Sequence, residues 1–239
     1  MSAERPTATR GISFAAGVLF LITFITSIPA LALFQPVLDD PAGYISGAGD
    51  DNRIYLGATL ELLLIVANIG TAVVLFPVLK RQSEVLSLGY LTARIAECVF
   101  IAAGILCVLG IVSLRADDPS AASLAVSLAA IKDWTFLLGP GFVVGIGNGL
   151  ILGYLMYRSE LVPRQMAMLG LIGGPLIVAS GIGGLFGAIE PGGTVQGLAS
   201  VPEILWELSL GVYLTVKGFS PSPNAHDARG LVAEPQPAV

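Results

Sequence analysis

From Gly11 to Leu38 the chain runs without a charged residue. At about 1.5 Å per helical residue, that run is longer than the ~30 Å hydrocarbon layer of a bilayer. It also exceeds the ~7 to 15 apolar residues of a secretory signal core. The segment therefore reads as an uncleaved anchor, although Arg5 and Arg10 precede it and Ala30-Leu31-Ala32 near its end has small-residue spacing. A chain that opens this way has to satisfy its backbone polar groups internally, and a helix does so within one segment.

Five further apolar stretches follow, about Tyr55 to Leu79, Leu86 to Leu114, Trp134 to Tyr157, Gln165 to Ile189 and Leu198 to Lys217. Only 12% of the 239 residues are charged, and mean hydropathy is +0.82. Soluble domains carry about a quarter charged residues, so the excess apolar surface has to face lipid. The predicted fold class is all-α, a polytopic bundle of six transmembrane helices over residues 11–219. A cytoplasmic N-terminal segment, 1–10, and a disordered cytoplasmic tail, 220–239, flank it. Between Arg115 and Trp134, Ala121 to Ile131 is too short for another crossing and reads as an interfacial or outward-extended helix.

Lysine and arginine orient such a chain. With the N-terminus inside, Arg5, Arg10, Lys80, Arg81, Arg158, Arg164, Lys217 and Arg229 fall on the inner side, against Arg53 and Arg115 outside. That bias predicts both termini in the cytoplasm. The outer connections are acidic, with Asp39, Asp40, Asp50, Asp51, Asp117, Asp118 and Glu190.

The net charge of -5 supplies no basic stripe for nucleic acid. Cys98 and Cys107 lie nine apart in one apolar segment, where a single helix cannot join them. The lone histidine, His226, sits in the tail, so no metal site, cofactor or catalytic residue is assigned. The expected partner is the lipid bilayer. Gly141, Gly145, Gly149 and Gly153 recur at every fourth position of span four and should form a smooth face for a close helix partner. Span five, with Gly170 and Gly174, is the expected partner, and homo-oligomerisation or a backbone-lined pathway is the other use of such a face. Pro140 and Pro175 are placed to kink their helices.

Ionisable residues inside the spans carry the remaining information, because each costs roughly 2.5 to 3.5 kcal/mol at a helix centre. Arg94 and Glu97 are spaced i, i+3, and Glu203 and Glu207 i, i+4, so each pair shares a helix face. Counting from the cytoplasmic ends places Asn68, Arg94, Glu97 and Glu207 in one inner layer. Glu61 and Glu203 then lie higher, near Lys132 and Asp133 at the outer interface, and Asn148 falls within span four. An ion or proton pathway and a charge network that fixes helix register are both compatible with this pattern.

The motifs Arg94-Ile95-Ala96-Glu97, Lys132-Asp133-Trp134, Gly153-Tyr154-Leu155-Met156-Tyr157-Arg158-Ser159 with Leu161-Val162-Pro163-Arg164, and Trp206-Glu207 to Val216-Lys217-Gly218 occur here in that order. In order and spacing the chain resembles, over about residues 8–219, a bacterial multi-pass membrane-protein family known as a domain of unknown function, of the DUF4386 type. The resemblance implies a six-span bacterial inner-membrane domain in which Arg94, Glu97, Asp133 and Glu207 match recurrent polar positions. It implies no activity. Lys132 and Tyr213 depart from that pattern, where a polar residue or histidine and a tryptophan are expected.

The resulting expectation is a non-enzymatic membrane protein that moves a small solute or ion through the polar network. The alternative is an accessory or sensory membrane protein whose charges only hold helices together, and a third is an intramembrane enzyme acting on lipid.

Overall fold

The computed structural model of the chain describes residues 5–47, 49–117 and 120–220. Those residues are mostly helical, with no strand among them. The elements are α1 (Arg5–Asp39), α2 (Pro41–Ile45), α3 (Asp51–Leu79), α4 (Glu84–Asp117), α5 (Ala122–Leu138), α6 (Gly153–Ser159), α7 (Arg164–Leu185) and α8 (Thr194–Val216). Two π-helical stretches, Gly139–Val143 and Gly145–Leu152, join α5 to α6. The polar tail and His226 lie outside the described residues. Helix α1 begins at Arg5, within the N-terminal segment 1–10.

Short polar turns reverse the chain between the long helices. Asp40 caps α2 by accepting from the Gly43 amide at 2.8 Å, and Asp50 caps α3 through the Asn52 amide at 2.9 Å. At the end of α6, Glu160 takes a left-handed conformation (φ 55°), and Pro163 follows, which cannot continue a helix. The helices close into a ring: α1 packs on α3, α3 on α4, α4 on α5 and the π stretches, these on α7, α7 on α8, and α8 back on α1. Arg10 locks the closure, donating to the carbonyls of Thr215 at 2.9 Å and Val216 at 3.0 Å at the end of α8. The start of α1 and the end of α8 therefore share one end of the bundle.

Five helical segments are long and apolar enough to cross a membrane, Thr9–Asp39, Asp51–Leu79, Glu84–Arg115, Ala122–Ser159 and Arg164–Leu185. Exposed Ile25, Val66, Val99, Leu106 and Leu176 give the bundle an apolar outer surface. A soluble bundle turns its apolar stripes inward; this one also bares them outward, as a lipid-embedded protein does. The sixth expected span, α8, falls outside the five, because buried Gln196, Glu203 and half-buried Glu207 lower its hydropathy.

Span four differs from the expectation at its start. The helix begins at Ala122, not Trp134, and runs 38 residues to Ser159, so Ala121 to Ile131 is its outward extension. Lys132 consequently sits well inside a helix at 5% exposure instead of at its mouth.

Candidate functional site

Two apolar cores fill the ring. Near the end that holds Arg10 they are built from Phe20, Leu75, Tyr90, Leu155, Trp206 and Leu210, and near the other from Phe34, Ile54, Ile105, Val108 and Ile111. Along α3 and α4 the residues between these cores are polar: Asn68, Arg94 and Glu97. On α1 the corresponding Thr23 and Thr26 return their hydroxyls to the carbonyls of Phe20 and Ile22 at 2.7 and 2.8 Å, and so spend their hydrogen bonds within their own helix.

The inner polar group is a closed triangle. Arg94 donates to Glu97 Oε2 at 2.8 Å and to Asn68 Oδ1 at 2.7 Å, while the Asn68 amide donates to Glu97 Oε1 at 3.1 Å. All three side chains are buried. Both carboxylate oxygens and two guanidinium nitrogens are matched, which is what makes a charge pair tolerable away from water. The Arg94 Nε remains without a partner among the described residues.

Lys132 forms the outer pair. It donates to both oxygens of Glu61, at 2.7 and 2.9 Å, and its ammonium lies 5.0 Å from the Phe34 ring centroid. Gly104 makes room for it: a methyl there would stand 2.8 Å from the lysine chain. The expected outer layer held Glu203 and Asp133 as well, and neither joins the pair. Asp133 points outward from the neighbouring helix position and is exposed. Glu203 is carried by α8, which packs on α1 and α7, whereas Lys132 belongs to α5, which packs on α4.

Glu203 and Glu207 instead face the π-helical stretch. The Asn148 side-chain amide donates to Glu207 Oε1, and the Trp206 indole donates to the Asn148 main-chain carbonyl at 3.0 Å. That carbonyl also receives the Gly153 amide five residues on, the signature of π winding. Gly149 and Gly173 lie against Glu203: a methyl at either would stand 2.8 Å from its Oε2. Glu203 is 2% exposed, yet neither of its oxygens has a hydrogen-bond partner among the described residues, and Asn148 Oδ1 is equally unpartnered. Glu207 meets Asn148, not the Arg94 guanidinium, although both carboxyls lie within electrostatic reach of it.

The glycine face of span four is occupied within the chain. Gly149 touches Gly174, Gly145 touches Ile177 and the Gly174 carbonyl, and Gly153 faces Gly170 and Leu171 on α7. Gly141 lies between Gly181 of α7 and the Gln196 side chain of α8. Cys98 and Cys107 are unbridged.

The chain matches the family described as Domain of unknown function (DUF4386) over residues 15–218. It belongs to that family. No curated protein and no solved structure matches this DUF4386 chain. The match takes in every ionisable residue of the polar layer, from Glu61 on α3 to Glu207 on α8, so the buried charges lie wholly inside the family domain.

No spacing in the sequence marks Gly104 or Gly173. Each lies opposite a charged side chain, Lys132 and Glu203 respectively, and only the tertiary contact reveals it. Asn148 was visible as a polar residue in an apolar span, but its role as the bridge to Glu207 was not.

Proposed function

We propose that the protein is a bacterial inner-membrane transporter of a small solute or ion, with six spans and both termini in the cytoplasm, and that it is not an enzyme. The observation that carries this reading is the set of buried polar atoms without partners, on Arg94, Asn148 and Glu203. A network that served only to hold helices would satisfy its own atoms, since an unmade buried hydrogen bond costs ~1 to 3 kcal/mol. Atoms held ready but unmatched are what a pathway for a polar passenger requires. The basic end, with Arg10, Lys80, Arg81, Arg158, Arg164 and Lys217, supports the orientation. Closure of the ring by α8 supports its being the sixth span.

The accessory reading draws on the closed Arg94–Glu97–Asn68 triangle and the Lys132–Glu61 pair, in which each buried charge already faces its opposite. Cysteine accessibility separates the two. In a Cys98→Ala, Cys107→Ala background, Asn68→Cys and Glu207→Cys should react with membrane-impermeant reagents from at least one side. Full protection of both in folded protein would leave a dry network and sink the transport reading.

A further inference from the structure

Summing the buried charges layer by layer exposes an imbalance. Arg94 is matched by Glu97 and Lys132 by Glu61, at 2.8 and 2.7 Å. Glu203 and Glu207 form no ion pair among the described residues, although both belong to the polar layer. Two carboxyls at this depth call for neutralisation, one by a bound cation and the other by a proton.

We propose that Glu203, Glu207 and Asn148 form a binding site for one small monovalent alkali-metal cation. The donor set is all oxygen: both oxygens of Glu203, the unpartnered Oδ1 of Asn148, and the Glu207 oxygen left over from its bond with the Asn148 amide. Hard cations prefer such ligands. With one of the two carboxyls protonated the site holds a single negative charge, which a monovalent cation balances and a divalent one does not. The backbones of Gly149 and Gly173 close one side of Glu203, since a methyl on either would stand 2.8 Å from its Oε2. The π winding serves the site by directing Asn148 at α8, where its main-chain carbonyl is held by Trp206 and its amide by Glu207. The proposal rests on the transport reading only for what the bound cation is for, namely to be carried or to be coupled.

Trp206 is a built-in reporter, because its indole touches the residue that supplies a ligand. The chain has two tryptophans, and Trp134 faces outward at 46% exposure, so Trp134→Phe leaves Trp206 as the sole emitter. In that full-length protein, replacing choline chloride by sodium chloride at constant ionic strength should give a saturable change in Trp206 emission. Glu203→Gln should abolish it. Glu203→Asp, which keeps the charge on a shorter arm, should raise the half-saturating sodium about tenfold, equivalent to ~1.4 kcal/mol. If Glu203→Gln does not fold by near-ultraviolet circular dichroism, the aspartate variant decides. An unchanged sodium response in the variant that folds, an equal response to choline, or a response to acid alone would overturn the site. In proteoliposomes, sodium-dependent emission without any cation flux would keep the site and sink transport. Flux indifferent to Glu203→Gln would keep transport and sink the site.

Discussion

Arg94 is a guanidinium at 1% exposure inside a bundle whose outer surface is apolar. It persists there because Glu97 and Asn68 take two of its nitrogens, and because Asn68 closes the triangle onto Glu97. Removing one member of such a pair strands the other, so Arg94→Ala should cost about 3–5 kcal/mol of stability, measured by unfolding in mixed micelles. The Arg94→Ala, Glu97→Ala double variant should cost less than the two single changes added together. Strict additivity would mean that the two groups do not interact. Tyr44, outside the spans on α2, is a second test. Burial first, and then its hydroxyl bond to Asp51, push the phenol up from 10.0 to about 12, partly offset by Arg115 above its ring. A phenol that keeps its proton longer when folded contributes stability fully present below about pH 10 and lost as the pH rises to about 12. Over that window wild type should lose melting temperature faster than Tyr44→Phe. Parallel curves would place the hydroxyl in water.

Among the elements, the π-helical segment does most to shape the interior. Pro140 brings no amide to the ladder, and the glycines after it offer no side chains to hold α geometry, so the winding widens from Gly139 to Leu152. The same glycines let α7 approach until backbones touch at Gly149 and Gly174. Gly149→Ala should therefore destabilise the protein by about 1–3 kcal/mol, the usual cost of overpacking. Gly197→Ala on α8, where nothing lies within 4 Å, should instead stabilise it by up to about 1 kcal/mol through helix propensity. Thermal unfolding of the two variants side by side checks both, and equal effects would mean that the glycine face is not a contact.

At the scale of the whole molecule, the ring puts its charges to separate uses. The end that holds Arg10 carries the basic turns Lys80–Arg81 and Arg158–Arg164, and Arg10 ties the first helix to the last. The opposite end is acidic, with Asp40 and Asp50 used as caps and Asp51 bridged to Arg115 at 2.6 Å. Between them, two apolar cores enclose the polar layer of Arg94, Asn148 and Glu203.

Much of this was legible in the linear chain. Uncharged runs longer than a bilayer determine helices, because lipid offers the backbone no other partner. Spacing placed Arg94 beside Glu97, and the basic turns at one end of the bundle, because both follow from helix period and direction. What the chain could not show is which helices meet. The α8 segment is marginal by hydropathy because Glu203 and Glu207 lie in it, and only the packing shows that this polar face turns inward to the π stretch. With span four starting at Trp134, Lys132 falls at a helix mouth, and its depth follows only from the fusion of the Ala121 to Ile131 helix with that span in α5. Glu203 was assigned to Lys132 by counting residues along one helix, but neighbours across a ring are chosen by interhelical packing. The glycines that bring α7 against Asn148 and Glu203 decided that choice, and with it the site.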